Sequence, residues 1–464
     1  MAPQTGTRPN LLVIMSDDHA AHAISGYGSK VNTTPNIDRI AAAGVRFDNC
    51  FCTNSICTPS RATILTGEYN HVNGVRTLFD DLDNTRAQVQ AELQTVGYQT
   101  AIVGKWHLGH GPGHDPAGFD YWRVLPGQGE YHDPVLLGPD GPQQHTGYVT
   151  DIITDLSLEW LERREPDRPF LLMVNHKAPH RSWEPDSKHR HLYPEGTIPE
   201  PPTFDDELAG RSRALDPLRM SMADLSEHDL KGPVPEGLTA QQERSWRYQR
   251  YLADYLRCVA SVDDNVGRVL DWLDEHGLTA STLVVYTSDQ GFFLGDHGWY
   301  DKRLMYEESL RMPFLASYPP LTSPGTNCQD IVTNVDFAPT LLELAGAPLP
   351  GRFQGHSMVD SLAGREPAHR QTDVYYRYWE HLSDPHRVPA HLGVRTDRYK
   401  LICYLDGTAA ETSSEVELYD LSDPSEVDNV YADPAYADVA ADLIGLLRRR
   451  QLELGDTDLV TVDR

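Results

Sequence analysis

Four short apolar runs in this chain end the same way. Leu11-Leu12-Val13-Ile14-Met15 runs into Ser16-Asp17-Asp18-His19, and Thr100-Ala101-Ile102-Val103 into Gly104-Lys105-Trp106-His107. Phe170-Leu171-Leu172-Met173-Val174 runs into Asn175-His176-Lys177-Ala178-Pro179-His180, and Thr282-Leu283-Val284-Val285-Tyr286 into Thr287-Ser288-Asp289-Gln290-Gly291. Continuous runs rich in Val, Ile and Leu read as strands buried on both faces, as in a parallel sheet. Helical patterns lie between them: Pro35 to Ala43, with Pro35 in the first turn and Gly44 as stop, Asp151 to Arg164, and Ser245 to His276. Strand alternating with helix predicts an α/β fold with a large, mostly parallel sheet sandwiched by helices. In such sheets the ligand site lies beyond the carboxyl ends of the strands. All four runs place ionisable or metal-binding residues there, which points to one site.

The pattern breaks over residues 185–236, a stretch rich in Pro, Glu and Asp that reads as a surface insertion. It changes again near Gly364. Val374 to Tyr376, Leu392 to Val394, Tyr399 to Tyr404 and Val416 to Tyr419 read as short antiparallel strands, followed by a helix from Ala435 to Gln451. A catalytic domain over 1–364 and a smaller α+β domain over 365–464 are therefore expected, in keeping with a length of 464 residues.

Composition narrows the partners. Hydrophobic residues make up 39% and charged ones 23%, ordinary values for a globular protein, and no apolar stretch is long enough to span a membrane. A net charge of −28 opposes nucleic acid and anionic membranes, so an anionic substrate needs a local basic pocket. Met1 to Asn10 carry one Arg and no apolar run, so the expectation is no secretory leader and a cytoplasmic location. Six cysteines in this length do not make a disulfide scaffold, yet Cys50, Cys52 and Cys57 fall within eight residues.

The most specific segment is Cys57-Thr58-Pro59-Ser60-Arg61, followed by Ala62-Thr63-Ile64-Leu65-Thr66-Gly67. Pro59 suits a first helical turn, with Thr58 or Cys57 as cap. Cys57 then sits at a helix N-terminus, where free N–H groups and the dipole favour an anion. Arg61 adds a clamp for a tetrahedral oxyanion. The plainer alternative is a capped helix with a buried cysteine.

This segment resembles the signature of the type I sulfatases, members of the alkaline-phosphatase-like superfamily. The resemblance implies that a separate formylglycine-generating enzyme oxidises Cys57 to formylglycine. The hydrated aldehyde then attacks sulfur, and loss of a proton from its second hydroxyl expels sulfate. Asp17, Asp18, Asp289 and Gln290 match the family's metal ligands, with the oxygen derived from Cys57 completing the shell. Gln290 stands where many relatives carry Asn or His. Asp and Gln oxygens independently suit Ca²⁺, with Mg²⁺ as the alternative, better than zinc. Lys105 and His107 match the pair near the nucleophile, His180 the histidine placed to protonate the leaving oxygen or bind sulfate, and Lys302 in Tyr300-Asp301-Lys302-Arg303 the second lysine on the sulfate. Cys50 and Cys52 match no family role and read as small buried residues.

A sulfate monoester is the expected substrate. Hydrolysis of a phosphate mono- or diester or a phosphonate, on the same superfamily's metal edge, is the alternative reaction, and a non-catalytic binder of sulfated sugars the alternative class. Segments around His176 to Trp183 and around Trp379-Glu380-His381, with His386 and His391 five residues apart, are similar to those of bacterial arylsulfatase and N-acetylglucosamine-6-sulfatase members. His176, Trp183, Trp379, His381 and His391 are thus candidates for a sugar-binding pocket mouth, with His176 equally readable as a support bonded to backbone and Trp379 as core of the small domain. With 40 Lys and Arg against 68 Asp and Glu, a small sulfated molecule is expected rather than a polysulfated chain. Sulfate position and oligomeric state stay open.

Overall fold

The four apolar runs become neighbours in one ten-stranded sheet. The computed structural model describes residues 8–405, 412–413 and 415–462. In chain order the sheet's strands are β1 (Asn10–Ser16), β2 (Val45–Phe47), β3 (Gln99–Lys105), β4 (Tyr121–Leu125), β5 (Val135–Gly138), β6 (Gly141–Gln144), β7 (Phe170–Asn175), β8 (Thr282–Ser288), β9 (Phe314–Ser317) and β10 (Thr326–Cys328). Their spatial order is β10-β2-β9-β8-β1-β7-β3-β4-β5-β6. The five strands from β8 to β4 are parallel, whereas β9, β5 and β6 run antiparallel to their neighbours. Four of these five are the runs visible in the sequence; β4 and the outer strands are too brief to show a period.

Both faces are covered, which is why the central runs do not alternate. Leu11, Val13 and Met15 enter one apolar core, and Leu12 and Ile14 the other. The first core takes in α2 (Cys57–Thr66) and α5 (Phe337–Ala345), and the second α1 (Pro35–Ala43), α3 (Val149–Arg163) and α4 (Ala240–Glu275). The long helix begins five residues before the expected Ser245, at a capping box formed by Thr239 and Gln242. A Cβ at Gly104, whose φ is +109°, would lie 2.0 Å from the Asn175 carbonyl, so only glycine lets β3 close on β7 just before Lys105.

A second, four-stranded antiparallel sheet comprises β11 (Asp373–Tyr378), β12 (His391–Thr396), β13 (Tyr399–Tyr404) and β14 (Glu415–Asp420), followed by α6 (Ala437–Leu454). Its residues Val374, Tyr376, Ile402 and Tyr404 join the first core of the large sheet, so the two sheets share apolar packing. Residues 185–236 hold no strand and only short helical turns among them. No described helix is long and apolar enough to cross a membrane.

Candidate active site

Parallel pairing delivers the four strand endings to one edge. Asp17 and Asp18 follow β1, Lys105 ends β3, His180 follows β7, and Asp289 and Gln290 follow β8; all except the half-buried His180 are fully buried. Carboxylate oxygens of Asp17, Asp18 and Asp289 lie within 4.8 Å of one another, and so do ligand atoms of Asp17, Cys57 and His180. Cys57 opens α2 with Ile56 as the flanking cap, a residue with no side-chain acceptor. The expected cap on Thr58 or Cys57 is therefore corrected: the first turn's N–H groups are not consumed by a side chain of the chain's own. Thr58 instead meets Nδ1 of His107 at 3.1 Å.

Three cations interleave the three carboxylates. Arg61 reaches Asp289 with Nε at 3.0 Å and Nη2 at 2.9 Å, and Asp17 at 3.4 Å. Lys105 pairs with Asp17, and Lys302 holds both oxygens of Asp18 at 2.6 Å. Ser60 donates to the Asp289 carbonyl and is itself held by Asn334 at 2.9 Å, tying α2 to the end of β8. Burial pushes the Asp18 carboxyl up to about 7 against the pull of Lys302, with Asp17 and Asp289 adding to the rise. Burial acts on Asp17 too, but Lys105, His180 and Arg61 hold it well below the usual carboxylate range.

The donor set fits a hard divalent cation. Oδ1 of Asp17 and Oε1 of Gln290 are buried with neither a hydrogen bond nor an ion pair, and the carboxylates of Asp17, Asp18 and Asp289 gather within 4.8 Å of one another. Buried oxygens left unpaired are costly unless a cation binds them. Every candidate atom in the Asp17, Asp18 and Asp289 group is oxygen, which favours calcium or magnesium.

The remaining groups are neutral bases or a masked thiol. Burial raises the Cys57 thiol although Lys105 and Lys302 oppose it, so the unmodified sulfur is a poor nucleophile. Burial and Lys105 push His107 down to about 2 and His180 well below the ordinary histidine value. Nδ1–H of His180 donates to the Arg181 carbonyl at 2.6 Å, which leaves Nε2 facing Asp18 at 3.8 Å.

The candidates for sugar recognition divide. Trp183 is fully buried against Tyr251, Phe292 and Tyr300 and belongs to the core, not to a pocket mouth. His391 is also buried, among Tyr376, Tyr378 and Tyr404, with Nδ1 donating to the Pro389 carbonyl. His176 is buried with neither ring nitrogen bonded, so it is neither a rim residue nor a backbone-bonded support. Trp379 is partly exposed beneath Arg377 and Arg76, and His381 partly exposed on a neighbouring loop.

Sequence reasoning missed a second polar cluster. Asp301 and Arg303 flank Lys302, both at positive φ (77° and 86°), and His386 meets Asp301 at 3.3 Å. Arg303 is buried with Nη1 unpaired, and Asp301, Tyr378, Glu380 and Cys57 all act on its charge. Glu380 accepts from Leu78 N at 2.8 Å and Tyr378 Oη at 3.1 Å. Gln128 touches Lys105 with its side chain and accepts from Lys177 at 3.1 Å with its carbonyl. The quoted Tyr-Asp-Lys-Arg and the segment around Trp379-Glu380-His381 with His386 held part of the signal, without showing that they meet; Gln128 sits in a loop without period.

Against this geometry stand the comparisons with known proteins. The family profile described as Sulfatase matches residues 9–347, and one described as N-sulphoglucosamine sulphohydrolase, C-terminal, matches 295–453. The chain belongs to the sulfatase family. It is 38% identical over 498 residues to an N-acetylglucosamine-6-O-sulfatase of Bacteroides thetaiotaomicron, spanning 97% of this chain and 88% of the relative. A solved structure of a protein in complex with its substrate D-glucosamine-2-N,6-O-disulfate superposes with a TM-score of 0.91 at 38% identity, over 97% of this chain and 99% of the other. A phosphonate monoester hydrolase from Silicibacter pomeroyi shares the fold, with a TM-score of 0.78 at 21% identity over 97% and 96% of the two chains. This sulfatase is a sulfuric ester hydrolase with an alkaline-phosphatase-like fold. Sulfatases of the family work with a formylglycine and a divalent metal.

Proposed function

We propose that this sulfatase removes a 6-O-sulfate from a glucosamine-type sugar. The observation that carries this reading is 38% identity across 97% of the chain to an N-acetylglucosamine-6-O-sulfatase. Its counterpart in the site is the buried Asp301–Arg303–His386 cluster beside Lys302, which offers unpaired donors to sugar hydroxyls. Asp17, Asp18, Asp289 and Gln290 would hold Ca²⁺, and position 57 would carry formylglycine made by a maturation enzyme. Once in place, these two groups supply electrophilic activation of the sulfate and the attacking oxygen, respectively.

The chain's own residues do the rest. Lys105, Lys302 and Arg61, all buried, surround the place where negative charge grows, and charges withdrawn from bulk water act strongly there. Their pairing with Asp17, Asp18 and Asp289 preorganises them at no cost during reaction. His107, steered by Thr58, is a neutral imidazole able to take a proton near position 57. His180 turns Nε2 into the site, where it can hold the proton shared with the leaving oxygen. Arg303 and His386 orient the sugar so that the ester oxygen meets His180.

The test is sulfate release from glucosamine 6-sulfates, 2- and 3-sulfated isomers and matched phosphate esters, with elemental analysis of the same protein. Preference for the 6-sulfate with one calcium per chain is expected. Faster phosphate release, or stoichiometric zinc, overturns the reading.

A further inference from the structure

Asp17 and Asp18 are consecutive, and consecutive side chains along an extended strand point to opposite faces of the sheet. Their carboxylate oxygens nevertheless gather with that of Asp289 within 4.8 Å of one another. The chain manages this with a left-handed residue. Asp18 has a φ of +66°, a conformation that is strained for any residue with a side chain. The turn after β1 breaks the alternation there, so the second carboxylate comes round to the first. Strain of this kind persists only where the surroundings hold it.

Three contacts hold the turn. Lys302 grips the Asp18 carboxylate, as described above, and His19 N donates to Ser288 Oγ at 2.9 Å, fixing the turn to the end of β8. The third contact comes from α4, 237 residues further along the chain. Tyr255 Oη donates to the Asp18 carbonyl at 2.8 Å and accepts from Ala20 N at 2.9 Å. A hydroxyl has a hydrogen to give and lone pairs to accept with, so this one closes the turn across both its sides. Asp18, Ala20 and Tyr255 are all fully buried, and removing the hydroxyl leaves two backbone groups short of a partner.

The ring is fixed as well. It stacks on Phe292 with centroids 5.6 Å apart and planes 16° from parallel, and Phe292 lies 6.0 Å from the Lys302 ammonium. Phe292 follows Gln290 by two residues. Tyr255 therefore bears on the backbone of one candidate metal ligand and on the segment that carries two others, Asp289 and Gln290. Lys302 is also one of the cations proposed for the sulfate, so its hold on Asp18 is shared. The Tyr255 hydroxyl has no second task.

We propose that Tyr255 is a positioning residue for the metal: its hydroxyl keeps Asp18 in the left-handed turn that lets two consecutive aspartates bind one cation. The inference rests on the calcium reading above and adds which residue outside the ligand set tunes the affinity. An ordinary core tyrosine would contribute stability alone, whereas a positioning residue must also contribute metal affinity.

The test is calorimetric titration of calcium into chelator-stripped protein. In Tyr255→Phe the calcium Kd should rise about ten-fold, and the calcium needed for half-maximal sulfate release should rise with it. Tyr251→Phe is the control: one turn earlier on α4 and fully buried, it loses a hydroxyl whose partner is the Phe293 carbonyl at 3.4 Å. It should lower the melting temperature by a few degrees and leave the calcium Kd within about two-fold of wild type. Ser288→Ala removes the acceptor of His19 N while sparing Tyr255, and it reads the same turn if Tyr255→Phe does not fold; its Kd should rise about three-fold. A calcium Kd within about two-fold of wild type in folded Tyr255→Phe, or in Ser288→Ala where Tyr255→Phe is not folded, overturns the inference. An equal rise in Tyr251→Phe does the same. Wild type that binds no calcium overturns the metal reading and this inference with it, whereas calcium-binding wild type beside an unmoved Tyr255→Phe leaves the metal reading standing.

Discussion

The candidate reaction centre and the sugar rim proposed for this sulfatase are built by opposite means. The centre hangs from strand ends: Asp17, Lys105, Asp289 and the start of α2 are placed by parallel pairing and sealed by two apolar cores. The proposed rim is a buried cluster of Asp301, Arg303, Glu380 and His386, with Leu78 N bonded to Glu380, whose members come from segments far apart in the chain. A strand end has one address in a sheet, so chemistry placed there survives large changes elsewhere. A loop rim can be rebuilt without disturbing the sheet, which is how one reaction can serve many sulfated sugars.

The sharpest way to break this division is at its centre. Cys57→Ala should lower turnover on every sulfate ester by at least about 10⁴-fold, while the melting temperature stays within a few degrees. Mass spectrometry of the tryptic peptide from Phe47 to Arg61 supplies the companion reading, with an aldehyde that reacts with carbonyl reagents expected in active protein. A free thiol in fully active enzyme would refute the assignment of position 57.

The rim should fail selectively. Arg303→Gln should reduce kcat/KM for a glucosamine 6-sulfate by about 100-fold, because a buried guanidinium is worth roughly 2–3 kcal/mol to a polar ligand. A small aryl sulfate, which makes no use of the rim, should lose far less. Equal losses on both substrates would place Arg303 in the reaction centre and erase the boundary between the regions.

The smallest effect is expected where the sequence suggested a rim and the fold made a core. Trp183→Phe should cost about 1–2 kcal/mol of stability, read by denaturant unfolding, through lost packing on Tyr251 and Phe292. KM for the sugar substrate should stay within about two-fold. A selective rise in KM without loss of stability would return Trp183 to the rim.

Periodicity and local signatures were enough for the α/β class, the four parallel central strands, the antiparallel second sheet and the edge where chemistry gathers. Buried parallel strands need unbroken apolar runs, helices need their caps and stops, and the carboxyl ends follow from direction alone. Cys57-Thr58-Pro59-Ser60-Arg61 and the acidic endings are contiguous, so the chain shows them before it folds. Burial is different, since it depends on what other segments lie above a residue. Nothing near Trp183, His176 or His391 announces Tyr251, β11 or the second core, so these residues read as rim candidates and folded inside. The antiparallel outer strands, the unpaired edge of Arg303 and the His386–Asp301 contact are likewise products of distant segments. Contacts across hundreds of residues carry no local period, and only the packed fold decides them.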